Sequence, residues 1–203
     1  MIKILLKIKL FFVILTIGSV LKADPYSLAN ISQYLTNLKF LKADFLQTSA
    51  DGAASSGAIL IKRPGRMRFE YYKPDKTLVL ISSGALAIFD PKGDEEPITY
   101  PIKNNPISLV LTGEVDLLNS GIVENYEKSI EEAVLTIRDP KRPERGSVEL
   151  VFTGAKPELR QFSIKNENGS STSILLNDIE YPKKINETLF SISLEINKRK
   201  TKN

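Results

Sequence analysis

The chain has 203 residues, 28 Lys and Arg against 24 Asp and Glu, a net charge of +4, and no His, Cys or Trp. Without Cys there is no disulfide framework, thiol nucleophile or cysteine-ligated zinc, and without His the commonest general base and transition-metal ligand are missing. The length suits one domain with a sizeable core.

Residues 1–23, "MIKILLKIKLFFVILTIGSVLKA", read as a removable export signal. Lys3, Lys7 and Lys9 form the positive start, an apolar run follows, and Ala23 ends a cleavage site. The run from Leu10 to Val20 is about eleven residues, against the roughly 20 that a spanning helix needs. An exported chain without Cys fits a bacterial periplasm. The signal removes four bases and no acid, leaving 24 of each sign, and "NKRKTKN" at 197–203 holds four more bases. The excess of base therefore sits at the two ends, unlike that of a nucleic-acid binder. These features divide the chain into a signal (1–23), one domain (24–196) and a basic tail (197–203). The tail reads either as a solvated end or as an electrostatic dock for anionic lipid or an acidic partner.

Asp24-Pro25 predicts a helix start, with Leu28, Ile31, Leu35 and Leu38 on one apolar face. From Phe40 the period becomes two. "RMRFEYY" alternates Met67, Phe69 and Tyr71 with charged residues, and "SVELVF" and "ELRQFSI" alternate similarly. "LFSISLEI" predicts a last strand with Phe190, Ile192, Leu194 and Ile196 on one face. The more continuous runs "TLVLIS" and "ALAIFD" predict centrally placed strands. Pro64-Gly65 suits the middle of a type II turn. In "NPISLVLTGEVDLLNSG" the alternation lapses and Pro106 suits a helix start, predicting one or two short apolar helices. Nine or ten short strands with few helices form a curled antiparallel sheet, its concave face plugged by the helices.

No cofactor-binding or metal motif is present, and chemistry is sparse. Asp94, Glu95 and Glu96 lie in a loop, Glu131/Glu132 and Asp44 read as surface acids, and Ser82-Ser83-Gly84 lacks both a Gly-x-Ser-x-Gly frame and a histidine. The prediction is a protein that is not an enzyme; a carboxylate-based hydrolase is the remote alternative. The apolar strand and helix residues serve either as an ordinary core or as the wall of a hydrophobic cavity under a helical lid.

Six stretches in order resemble the LolA-type carriers of outer-membrane lipoproteins. "LKADFLQT", with Phe45 and Gln47, is similar to their opening strand, and "GAILIKRPGRMRFEYYKP" to their Lys-Arg-Pro hairpin. "LVLISSGALAIFDP", "NPISLVL", "PELRQFSIKNENGSSTSILLNDI" and "LFSI" follow in register. The chain departs from the family in lacking Trp on the strand before Lys-Arg-Pro and in its basic tail.

The resemblance implies a mainly β fold: an incomplete, curved antiparallel β-barrel of about 11 strands, with short helices lidding a hydrophobic cavity. It implies a monomeric periplasmic chaperone that binds the acyl chains of lipoproteins and no nucleic acid. An inner-membrane lipoprotein-releasing ABC transporter would load it, and an outer-membrane acceptor, or the outer membrane itself, would unload it. An envelope sensor of lipids or misfolded proteins on a similar half-barrel is the competing function. Arg63 matches the arginine that latches the lid, and otherwise reads as a solvated turn residue; Arg66 and Arg68 read as plain surface charges. The expected cavity wall is Leu28, Ile31, Leu35, Phe45, Ile59, Ile61, Met67, Phe69, Tyr71, Leu78, Leu80, Phe89, Ile107, Val110, Leu111 and Phe162.

Overall fold

The computed structural model describes residues 24–92 and 96–201. The expected signal, residues 1–23, lies outside them, as do Asp94 and Glu95 of the acidic run. Eleven antiparallel strands follow helix α1 (Leu28–Asn37) in chain order. These are β1 (Phe40–Thr48), β2 (Ala54–Lys62), β3 (Arg66–Tyr71), β4 (Leu78–Ser82), β5 (Ala85–Phe89), β6 (Ile98–Pro101), β7 (Val123–Lys128), β8 (Glu132–Arg138), β9 (Ser147–Thr153), β10 (Glu158–Lys165) and β11 (Ser171–Glu180). Helix α2 (Ile192–Lys200) closes the described chain.

The spatial order is β6-β5-β4-β3-β2-β1-β11-β10-β9-β8-β7, so the sheet is a meander on each side of one seam, β1 against β11. Strands β6 and β7 are its two outer edges, and the sheet curls without closing. Period-2 alternation sends one set of side chains to the concave side. Leu41, Phe45, Ile59, Met67, Leu135, Leu150, Phe152 and Leu176 are all buried there, in one cluster with Ile31 and Leu35 of α1. The helix is what the concave face needs, because an uncovered apolar sheet face would stand in water.

Several local expectations change. Helix α1 starts at Leu28 rather than at Asp24-Pro25: Ser27 is its cap, accepting a bond from the Asn30 N–H at 3.3 Å. The Arg63–Pro64 peptide is cis, and the turn is a three-residue loop between the paired Lys62 and Arg66, with Gly65 at φ +71°. Arg68 is not a plain solvated charge. It donates to the Leu189 carbonyl at 3.0 Å and pairs with Glu70 at 3.0 Å.

The largest change is at the C-terminus, where the expected closing strand is the helix α2. Ser191 caps it by accepting the Leu194 N–H at 3.2 Å, and Glu195 holds Arg199 one turn on at 3.2 Å. Ile192 and Ile196, one helical turn apart, pack on Leu78, Leu80, Ala87 and Phe89, while Leu194 is 49% exposed. The expected domain boundary at 196/197 cuts through this helix. Its basic end is a packed C-terminal turn, where cations complement the helix dipole. There Arg199 stacks on the Phe89 ring at 4.8 Å, and Lys200 reaches Glu96 at 2.5 Å.

Helix α2 also explains "TLVLIS" and "ALAIFD". Strands β4 and β5 are not central; they lie third and second from the β6 edge. They are apolar on both faces because α2 covers the convex side, at Leu78 and Leu80, and the core covers the concave side, at Ile81.

Candidate functional site

The mouth of the concave face is crossed by α1 and by the segment between β6 and β7. That segment holds two short 3-10 helices, Ile102–Asn104 and Pro106–Leu109. Asn105 caps the second by accepting the Ile107 N–H at 3.0 Å. Ile107, Val110, Leu111, Val115 and Leu117 point into the core. Within the stretch 105–121, where one or two short apolar helices were expected, one forms, Pro106–Leu109; Ile102–Asn104 precedes it, and residues 110–121 run as turns and extended chain.

Helix and segment are stitched into one cover. Ser32 Oγ donates to the Val115 carbonyl and accepts the Leu117 N–H at 3.3 Å, and Thr36 Oγ1 accepts the Val115 N–H at 3.4 Å. On the β8–β11 side tyrosine hydroxyls hold the cover. The buried Tyr26 hydroxyl lies 2.6 Å from the Glu131 carbonyl and 2.8 Å from that of Gly154, and Tyr126 donates to the Tyr26 carbonyl. Tyr34 Oη accepts the Leu159 N–H at 3.2 Å and meets the Tyr181 hydroxyl, which donates to Glu158 at 2.9 Å. Burial raises the pKa of Tyr26, Tyr34 and Tyr181, so all three keep their protons at neutral pH. Tyr26→Phe is expected to cost about 1–2 kcal/mol, the worth of a part-buried hydrogen bond and its orphaned carbonyls. A urea melt of the two proteins measures it.

On the opposite side the cover is held by the β2–β3 turn. The Gly65 N–H donates to the Leu111 carbonyl at 2.8 Å. Arg63 donates from Nε at 3.0 Å, and also from Nη2, to the carbonyl of Thr112. Its side chain is 6% exposed in this position, and Nη1 is buried without a partner. Among the described residues no carboxylate pairs with it. Burial lowers its pKa to about 10, still well above neutrality, so a full charge is retained inside an apolar wall.

Between cover and sheet a void of about 30 Å³ remains, lined by Arg63 and by Leu35, Leu38, Ile61, Met67, Ile107, Val110, Leu111, Leu150, Leu159 and Phe162. That is room for a water molecule or two. No carboxylate lines it, so it offers no acid–base pair. Leu28, Ile31, Phe45, Ile59, Phe69 and Tyr71 belong to the same concave cluster without touching the void. Tyr71 donates to Gln47 at 2.6 Å, and burial pushes its pKa up to about 12.

Leu78, Leu80 and Phe89 do not belong to this wall. They face the convex side beneath α2, because the two-sided burial of β4 and β5 sends alternate residues outward into a second cluster. Leu150 and Leu159 join the wall without having been singled out, although the alternation in "SVELVF" placed Leu150 on the buried face. The tyrosine anchors had no sequence signal, since their partners lie up to 128 residues away.

Residues 36–193 match the family model described as outer membrane lipoprotein carrier protein LolA. The chain is 24% identical over 187 residues to an outer-membrane lipoprotein carrier protein of Methylococcus capsulatus, covering 87% of this chain and 88% of that one. It is 25% identical over 185 residues to one from Coxiella burnetii, covering 86% of each. Among solved structures, a putative outer membrane lipoprotein-sorting protein domain from Vibrio parahaemolyticus is similar at TM-score 0.47 and 10% identity, over 83% of this chain and 96% of the other. With most of its length matched in one register, the chain belongs to the LolA family of outer membrane lipoprotein carrier proteins.

Proposed function

We propose that this protein is a periplasmic chaperone that takes the acyl chains of lipoproteins into its concave cleft and carries them from the inner to the outer membrane. In this reading an inner-membrane ABC transporter loads it, and an outer-membrane acceptor or the membrane itself unloads it. The observation that carries the reading is the cover. An apolar cleft filled by its own lid, and fastened by a buried arginine with no carboxylate partner, suits a container in its empty state.

The energetics favour such a lid. Burying one methylene contributes about 0.8 kcal/mol, so a 16-carbon chain gains about 12 kcal/mol on leaving water. A rigid dry cavity would not release that cargo on a useful timescale. Here the cargo has to displace Ile107, Val110 and Leu111, whose own burial offsets part of its gain. Hand-over then becomes a contest between cargo and lid for the same wall.

The test is to co-express the exported domain with an acylated lipoprotein, purify it and identify bound lipoprotein by mass spectrometry. Acylated protein is expected to co-purify, and to be released from spheroplasts into the soluble fraction by added carrier. A domain that retains no acylated protein and releases none from spheroplasts would overturn the reading.

A further inference from the structure

The convex side carries a second cleft, of about 580 Å³, between the β4–β5 hairpin, the start of β3 and the first turn of α2. It lies on the opposite side of the sheet from the acyl-chain wall and has no part in the reading above. Ser82 and Ser83, too poor a frame for a nucleophile, line it.

Three observations point to a ligand. Ser82 is 8% exposed, lines the cleft, and its hydroxyl, open to the cleft, has no hydrogen-bond partner among the described residues. Helix α2, nine residues long, turns its N-terminus into the same cleft. Ser191 Oγ accepts the Leu194 N–H and meets the Ser193 hydroxyl, both at 3.2 Å, and the Ile192 and Ser193 N–H groups have no partner among the described residues. Arg66 stands at the rim with no ion pair among the described residues.

Charge narrows the ligand. Glu187 also lines the cleft, but Lys62 pairs with it at 2.6 Å, and Lys62 with Arg66 holds its carboxyl below the usual range. Lys62 and Glu187 cancel, leaving the one positive charge of Arg66. The surplus matches a monoanion and disfavours a dianion. An arginine fork, two N–H groups and a hydroxyl lining one cleft suit a tetrahedral oxyanion. Ile192 and Leu194 beside them offer an apolar wall for what the anion is attached to.

We propose that this cleft binds a phosphodiester, with Arg66 supplying the charge, Ser82 a hydroxyl from the floor, and the first turn of α2 its free N–H groups. The phosphodiester is either a lipid headgroup or a soluble ester, and the experiment separates the two.

The protein is titrated with glycerophosphoglycerol while the amide resonances of Ile192 and Ser193 are followed by NMR. Saturable shifts are expected at these two amides and not at Ile107 or Val110. The affinity is expected to fall at least about tenfold in Arg66→Gln and in Ser82→Ala, each of which also tests the other should one variant fold poorly. In a flotation assay, binding to phosphatidylglycerol vesicles but not phosphatidylcholine vesicles, lost in Arg66→Gln, assigns a lipid headgroup. Soluble binding without flotation assigns a free ester. Absence of a saturable shift at residues 192 and 193, or a shift of unchanged affinity in both variants, overturns the site and leaves the carrier reading untouched.

Discussion

Arg63→Leu is expected to keep the fold and hold acylated cargo, yet to pass it on about 10- to 100-fold more slowly, since about 1.4 kcal/mol is tenfold and charge-assisted bonds contribute about 1.5–3 kcal/mol. In the closed state the guanidinium makes two bonds to the Thr112 carbonyl. If cargo displaces the segment, as proposed, those bonds are lost and the charge must swing outward or lie against an acyl chain. Leucine is buried in both states, so its apolar gain cancels, and only the missing latch remains in the balance. The closed state is weakened and the loaded state persists.

The stability of the empty protein should barely fall. A buried charge without a carboxylate partner carries a desolvation cost, and an apolar replacement of similar volume is often neutral or stabilising. The two readouts together are diagnostic: transfer from loaded carrier to acceptor membranes slows, while the thermal midpoint stays level or rises. Transfer at the wild-type rate would remove Arg63 from the mechanism. Arg63→Lys should fall between, because a single ammonium lacks the fork that reaches one oxygen through two nitrogens.

Gly57→Ala is expected to destabilise the protein by about 3 kcal/mol or more, beyond the usual range for overpacking by a single methyl group. Gly57 sits in the middle of a cross-strand row, opposite Phe45 on one side and Tyr71 on the other. The Phe45 ring lies across it to meet Tyr71 at 5.1 Å and Phe69 at 5.4 Å, both edge-on. A Cβ there would stand 2.3 Å from the Glu70 carbonyl and 2.6 Å from the Phe45 ring. The ring can turn aside, at the loss of its aromatic contacts, but the carbonyl belongs to the sheet and cannot. At about 2–4 °C per kcal/mol for a domain of this size, the thermal midpoint should drop by about 10 °C. Gly113→Ala is the control: its nearest neighbour is Pro64 Cβ at 3.9 Å, and the midpoint should hardly move.

Much of the sheet was legible because alternation is a local property. "RMRFEYY" and "SVELVF" bury chiefly one face, so the period of two is visible within six or seven residues, and the strands lie where it runs. The same reasoning misled at "LFSISLEI", where period two over eight residues also contains the i, i+4 pair Ile192 and Ile196 that a helix uses. The cap at Ser191 and the Glu195–Arg199 pair were the signals for helix. Strands β4 and β5 hid their position for a related reason: two-sided burial erases alternation whether the second cover is more sheet or a helix. Of the site, the apolar wall was legible as buried material, but its collapse onto the cover was not. Arg63 stood out through family resemblance alone. Its acceptor is a backbone carbonyl 49 residues away, which no residue pattern encodes.

The seam between the first and last strands also sets the order of assembly. Lys42 lies opposite Glu180, so the central pairing of the sheet joins residues separated by most of the domain. Each meander can form hairpin by hairpin, but neither gains its inner neighbour until β11 has emerged. Contacts this distant in sequence slow folding, because the loop entropy is lost before the contact stabilises anything. A chain made from its N-terminus therefore leaves the seam edge of β1, where Phe45 meets Leu176, unpaired until β11 has been made. The architecture postpones its own completion to its last strand, so the sheet becomes continuous in one late step.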